Sequence, residues 1–452
     1  MKTTNLSGVS GNKKGFFNMK NIRKAKKPVR IIGKDLKVTA DERSLMNCNV
    51  TVFGQTGAGK SYGYVSPNIS ASTVESLVVI DTKLNLLRKH KAELEAKGYR
   101  VELIDLVNLD NSSIGYNPLD FVRTTGEHEI AKPDDVKELA EFIVTDKRFH
   151  SDHDPFWEVA AKQYITACLS LCFHILDEEY TLTTVSKLLS YMDQPVWDTL
   201  IQEAEQDDPE CLEAVIDREI RGSRNADKMH ASISGIAKVA MNQFTWDEAD
   251  KLYTMPRRIR FSDLGDSKMA VFINVSDHDF SKTPLVAMFF SQLIKELLDH
   301  ADKQRNSRLK VPVHLYADDI GATFVIPHLP ELMSIIRSRG ISLSLIMQSW
   351  SQLLAKYGPY DASTIAGNCS VLVFLGTSEL ETARFLSEKA NIPLDKLTGM
   401  KLDTELVCIQ GQKPFFWKKH IADVLKEVMF NADTEPEQHV GNEPDSDSKE
   451  VG

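Results

Sequence analysis

The sequence has no run of about 18 apolar residues, so no membrane-spanning helix is expected from it. Its first 14 residues are polar and contain no apolar segment, so no signal peptide is read there. These two lacks point to a cytosolic body, held at a membrane only if a partner holds it. Cysteine is scarce. The six residues, Cys48, Cys168, Cys172, Cys211, Cys369 and Cys408, are scattered, and none forms a paired motif with histidine at metal-ligand spacing. A disulfide framework and a zinc module are therefore excluded, and reduced, buried thiols are expected. Positive charge is not in excess. Fifty-four basic against 64 acidic residues leave a net charge of −10, so any nucleic-acid contact must use a local basic surface. No internal repeat stands out, which argues against a solenoid.

What is present is ordinary globular material: 452 residues, 42% hydrophobic and 26% charged, enough for two to three domains' worth of core. Charge is unevenly placed. Residues 1–37 hold Lys13, Lys14, Lys20, Arg23, Lys24, Lys26, Lys27, Arg30, Lys34 and Lys37 against one acid, Asp35. They read as a basic, disordered leader, or as a patch for anionic lipid or nucleic acid. Residues 431–452 are acidic and polar and read as a disordered tail.

The most informative stretch is Gly54-Gln55-Thr56-Gly57-Ala58-Gly59-Lys60-Ser61, a match to G-x-x-x-x-G-K-[ST]. Apolar residues 49–53 precede it as a strand, and the residues after Lys60 open a helix. Glycines let the backbone wrap an anion with its N–H groups turned inward. Lys60 brings a positive charge to the β- and γ-phosphates, and Ser61 offers a hydroxyl to Mg²⁺. ATP with Mg²⁺ is the expected ligand. The bland alternative is a glycine turn with no ligand.

Strand and helix patterns alternate around this loop. Residues 76–80 form an apolar run ending in Asp81, 84–97 a helix closed by Gly98, and 99–107 the next strand. Such alternation means a parallel sheet covered on both faces, hence an α/β fold. From 133 to 253 only helical patterns occur, at 156–176, 181–192, 196–205, 211–220 and 225–244, and 156–176 is apolar nearly all round. The expected organisation is an α/β domain over 38–132 and 254–430, with an all-α domain, 133–253, inserted. Strands resume at 269–275, 311–317, 342–347 and 371–375, and 405–409 with 415–418 form a closing hairpin.

A phosphate loop needs a second strand that ends in acid. Val313-His314-Leu315-Tyr316-Ala317-Asp318-Asp319 supplies it. Asp318 is the candidate Mg²⁺ ligand and Asp319 the candidate base for the attacking water. Gln348, closing the neighbouring strand, is a candidate phosphate sensor, against a plain surface amide. Arg337 and Arg339 precede that strand on a helix; Arg337 is the candidate arginine finger acting on a neighbouring subunit, against a solvated helix face. Asp81-Thr82-Lys83 is expected beside the loop, as a partner of loop or metal water or as a salt bridge.

The order of several short motifs resembles the TraG-type coupling proteins of type IV secretion. They are the phosphate loop, Val79-Ile80-Asp81-Thr82-Lys83, Tyr116-Asn117-Pro118-Leu119 and Asp154-Pro155-Phe156-Trp157. Ile336-Arg337-Ser338-Arg339-Gly340-Ile341-Ser342, Gln348-Ser349, Ile365-Ala366-Gly367-Asn368-Cys369 and Phe374-Leu375-Gly376 complete the series. The likeness covers roughly residues 40–420. It implies a RecA-like P-loop NTPase with an inserted all-α domain, and an ATP-driven hexameric ring. It also implies relaxase-bound single-stranded DNA and the secretion channel as partners, and a place at the inner face of the cell membrane. Two features depart from the family pattern. Asp318-Asp319 stands where Asp-Glu is usual, and Asp81-Thr82-Lys83-Leu84 where Asp-Pro-Lys-Gly is usual. Members usually carry N-terminal membrane helices, for which this sequence shows only the basic leader. A nucleotide-binding adaptor with little hydrolysis, and a cytosolic DNA-pumping ATPase, are the alternative readings.

Overall fold

The computed structural model describes residues 9–10, 27–39, 46–125, 130–144, 155–175, 180–318 and 324–421. Candidate base Asp319 and the tail beyond 421 lie outside these residues. Three short strands, β1 (Val9–Ser10), β2 (Val29–Gly33) and β3 (Leu36–Thr39), form one antiparallel sheet in the order β1-β3-β2. The main sheet has nine strands. They are β4 (Val50–Phe53), β5 (Ser76–Ile80), β6 (Arg100–Asp105), then, past the small hairpin β7 (Thr124–Thr125) and β8 (Ile130–Ala131), β9 (Met269–Asn274), β10 (Val313–Ala317), β11 (Ile341–Met347), β12 (Val371–Phe374), β13 (Thr404–Ile409) and β14 (Phe415–Lys418). Their order is β14-β13-β12-β4-β11-β10-β5-β9-β6. From β12 to β6 every neighbour runs parallel, and β13 and β14 add an antiparallel hairpin at one edge.

The parallel strands are buried at every residue of β4, β5, β9 and β10, which is why they read as unbroken apolar runs rather than as alternation. Pleating then divides them between two cores. Phe53, Val78 and Ile80 join the larger one, while Val50, Val52, Leu77 and Val79 join the other. The larger core is continuous with the helices that follow β8: α-helices Pro133–Val144, Phe156–Ile175, Leu182–Leu189, Pro195–Asp207, Leu212–Arg224, Asp227–Asn242 and Ala249–Tyr253. Helix Phe156–Ile175 is the hub of this region, with Tyr164, Ile165, Cys168, Leu169, Leu171 and Cys172 fully enclosed.

Residues 29–37 do not continue a basic leader. Ile31, Ile32, Leu36 and Val38 fold inward, and Asp35 at φ 58° makes the tight turn between β2 and β3. Arg30, read from the sequence as a solvated cation, is 1% exposed and lies in a fork with Glu75, at 2.6 and 2.8 Å. Its guanidinium also donates to Ser342 Oγ, 3.3 Å away, and His314 bridges Ser342 and Ser344 at 2.6 and 2.8 Å. Burial holds the His314 ring well below its ordinary pKa, so it is neutral there. Tyr64, just past the glycine loop, reaches the same Ser344 hydroxyl at 2.8 Å.

Candidate functional site

Strand β4 lies inside the sheet between β12 and β11, so the loop after Phe53 emerges at the carboxyl ends of three parallel strands. This is where ligands sit in such sheets. The loop is pinned at its base: Gly54 N–H donates to Met347 O (3.1 Å) and Gln55 N–H to Gly376 O (3.1 Å). The Gln55 side-chain oxygen accepts from Ser378 N–H at 3.0 Å. Two of its glycines are required by conformation, Gly57 at φ 80° and Gly59 at φ 96°, in the left-handed region costly for other residues. Gln55, Thr56 and Gly57 remain exposed. Lys60 is buried and folds back over the loop, its ammonium donating to Gly54 O at 2.9 Å and Gln55 O at 3.5 Å.

The helix expected after the loop begins as a widened π-turn, Lys60–Val65, and becomes α-helix at Ser66–Ala71. The widening ends just before Pro67, whose ring has no N–H and would crowd the Gly63 carbonyl in a tighter turn. Its effect is local: Ser61 faces β10, two strands away from β4, and its hydroxyl donates to Asp318 Oδ2 at 3.0 Å. Two residues 257 apart in sequence thus meet at one point. Hydroxyl and carboxylate oxygens are hard donors that suit Mg²⁺, and the 3.0 Å gap matches one edge of an octahedron with arms of about 2.1 Å.

Gln348 closes β11, the strand between β4 and β10, so it stands at the same edge as the loop and Asp318. It is half-buried, and its backbone N–H donates to Gln352 Oε1 at 3.2 Å. Arg337 is elsewhere. It is exposed in the last turn of α-helix Leu329–Arg339, which leads into the start of β11, the opposite end of the sheet from the loop. In its own chain it is not brought to the phosphate loop. Arg339 is engaged with Asp302 at 3.1 Å.

Asp81-Thr82-Lys83 is not beside the loop, because β11 and β10 separate β5 from β4. Sequence order suggested adjacency, but β4 pairs only with β12 and β11, strands formed about 300 residues later. The Asp81 carboxylate instead accepts Leu87 N–H at 2.8 Å, tying down the start of helix Asn85–Ala96. Burial raises its pKa even so. Lys83 makes an exposed pair with Asp277 at 3.4 Å.

Among the described residues one cluster, His174, Cys211 and Glu213, brings possible metal ligands within 4.8 Å of one another. The His174 Nδ1 to Glu213 Oε1 gap is 2.5 Å, a hydrogen bond. Two ligands on one zinc ion, with arms of about 2.0–2.2 Å, stand more than about 3 Å apart. Glu213 also accepts from Ser170 at 2.6 Å, and burial pushes the Cys211 thiol up to about 12. The trio is a polar tie between helices Phe156–Ile175 and Leu212–Arg224; Cys168, Cys172 and Cys211 are buried free thiols as expected from sequence, whereas Cys48, Cys369 and Cys408 are half-buried.

With this geometry in view, comparison with known proteins is decisive. The family model for conjugative DNA transfer by the type IV secretory system matches residues 11–390. The chain belongs to this family. Among its relatives is the conjugal transfer protein TraG of Rhizobium radiobacter, 24% identical over 363 residues, covering 77% of this chain and 54% of that protein. The chain thus spans about half the length of that relative. Among solved structures, the unbound conjugative coupling protein TrwBdeltaN70 superposes with a TM-score of 0.62 at 16% identity, covering 89% of this chain and 92% of that one. TrwB with ADP and Mg²⁺ gives 0.58 at 17% identity, with coverages of 82% and 85%. The fold of this family member is that of a RecA-like P-loop NTPase with a mostly parallel sheet.

Two segments that touch the loop were not picked out as site residues from the sequence. Ser378 and Gly376 hold the loop from β12's far end, and only the Phe374-Leu375-Gly376 likeness marked that place. Lys419 and Ile421, just past β14, also lie against the loop.

Proposed function

We propose that the chain is the ATP-driven motor of a type IV secretion coupling protein, moving relaxase-bound single-stranded DNA or protein to the secretion channel at the membrane. The observation that carries this reading is the 3.0 Å contact between Ser61 and Asp318 at the mouth of a glycine loop. The likeness to the conjugal transfer protein TraG, and to TrwB in complex with ADP and Mg²⁺, supports it. Residues 54–61 bind the phosphates of ATP, with their N–H groups turned toward oxygen. Lys60 exchanges its present carbonyl partners for phosphate oxygens. Ser61 and Asp318 hold Mg²⁺. When bound, the ion neutralises charge on the β- and γ-oxygens. Gln348 reads the γ-phosphate from between the two strands, and Asp319 takes the proton of the attacking water. Arg337, on the far side of its own sheet, serves a neighbouring subunit's site in a head-to-tail ring, a hexamer. Residues 133–253 form an inserted helical domain that selects the substrate. The body is cytoplasmic and peripheral at the inner membrane face; no helix among the described residues is long and apolar enough to cross a membrane.

The test is steady-state ATP turnover with and without single-stranded DNA. Lys60→Ala is expected to abolish turnover while leaving the melting temperature unchanged; wild-type turnover in this variant overturns the reading. The adaptor reading rests on Asp319 standing where Glu is usual. Aspartate is one methylene short, and a 1 Å displacement can cost about 100-fold. Asp319→Glu is therefore expected to raise turnover, and negligible DNA-independent and DNA-stimulated turnover in wild type favours the adaptor.

A further inference from the structure

We propose that the three residues following β14 form part of the nucleotide site, with Lys419 as a positioning residue that sets the phosphate loop for anion binding. The inference rests on the reading of residues 54–61 as that site and names a component of it.

Topology brings this segment there. Strand β14 is antiparallel to β13, and β13 is antiparallel to β12, so β14 runs in the same direction as β4 and ends at the loop's edge of the sheet. From that end the chain turns back across β13 and β12. Lys419 N–H is anchored on Asp403 O at 2.9 Å, in the turn before β13. Its side chain is 3% exposed, and the ammonium donates to Ala58 O at 3.2 Å. Two residues on, Ile421 lies against the outside of the same turn. A Cβ on Gly59 would stand 2.5 Å from Ile421 Cδ1, and one on Gly63 would stand 3.5 Å from Ile421 Cγ1. Gly59 is favoured by its positive φ, and a larger residue there would also push the Ile421 side chain aside.

The chemistry follows from the rigidity of the peptide unit. A trans peptide holds its C=O and N–H in opposite directions. An ammonium drawing the Ala58 carbonyl outward turns the Gly59 N–H inward, toward the hollow where a phosphate oxygen belongs. Burying an ammonium costs several kcal/mol unless it is well partnered. Here the Ala58 carbonyl is a partner, and the nearby Asp403 carboxylate adds to the field that favours the charged form. Burial still lowers the Lys419 pKa. Lys60 works from the concave side of the loop, on Gly54 O and Gln55 O, while Lys419 works from the convex side on Ala58 O.

The experiment is isothermal titration of the full chain with Mg·ADP, beside thermal unfolding without nucleotide. Lys419→Met keeps the length of the side chain and removes the charge. It is expected to weaken Mg·ADP binding about tenfold, the scale of one well-placed anion-directed hydrogen bond, with unliganded melting nearly unchanged. Lys419→Arg, which restores the donor, is expected to recover affinity to within about threefold of wild type. Ile421→Ala, which leaves the ammonium in place, is expected to weaken binding by a smaller factor and carries the test if Lys419→Met fails to fold. Wild-type affinity in both Lys419→Met and Ile421→Ala overturns the inference. So does a loss in Lys419→Met matched by Lys419→Arg and by a parallel fall in melting temperature, which marks a purely structural role. Absence of Mg·ADP binding in wild type is a different result: it removes the phosphate-site reading itself.

Discussion

The two faces of the main sheet are built from different material. On one, Phe53, Val78 and Ile80 join an apolar mass that runs without a break into the helices of 133–253. On the other, Val50, Val52, Leu77 and Val79 join a second apolar core that also encloses, beneath β2 and β3, a connected polar set of Arg30, Glu75, His314 and Tyr64 with half-buried Ser342. The apolar face is held by area and shape, which tolerate exchange among hydrophobic residues of similar volume. The polar set within the second face is held by pairing, which is weak evidence for net stability yet costly to break. It also joins four separate segments to the residues just behind the phosphate loop, so disturbing it reaches the site more directly than disturbing a distant helix.

The largest effect that would break this contrast is on the polar face. Glu75→Ala strands a guanidinium that is 1% exposed, and the expected loss is about 3–5 kcal/mol of unfolding free energy. Urea denaturation measures it. Replacing both partners, Arg30→Met with Glu75→Leu, is expected to recover most of that loss; a double variant as unstable as the single one would mean that the ion pair itself, and not an orphaned charge, supplies the stability. On the apolar face, Leu169→Ala in the hub helix removes a fully buried side chain and is expected to cost about 2–5 kcal/mol. Nucleotide affinity should be unchanged, measured by the same titration, because the hub packs chiefly on the surrounding helices and on β8. A smaller effect sharpens the comparison at the sheet edge. Burial raises the Glu405 carboxyl from 4.5 to about 9. Between those values the folded state keeps a proton that the unfolded chain has released. Stability from this group is therefore complete below pH 4.5 and declines as pH rises through that window to about 9. Glu405→Gln is expected to flatten this decline in melting temperature measured from pH 5 to pH 9; an unchanged slope rejects the assignment.

Much of the candidate site was legible from local pattern. The loop 54–61 announces itself because only glycine accepts positive φ at Gly57 and Gly59, and because Lys60 and Ser61 follow at fixed spacing. Asp318 was legible as the acid at the end of a buried strand, and Gln348 as the polar end of the next, since both depend on residues adjacent in sequence. Arg30 was not: a cation between Val29 and Ile31 looks solvated until Glu75, 45 residues on, is folded beside it. Asp81 shows the same limit, since strands adjacent in chain order need not be adjacent in the sheet.

Local pattern is enough for the α/β alternation, for the helical stretch between residues 133 and 253, and for the glycine loop with its acid-tipped strand. Those are properties of spacing and of backbone freedom, which act over a few residues at a time. Folding in three dimensions is what sets β11 between the loop and Asp318, encloses Arg30, and brings Lys419 against the loop from behind. Each of these joins residues tens to hundreds of positions apart, and their meeting depends on strand order and on the burial of surfaces that no local pattern describes.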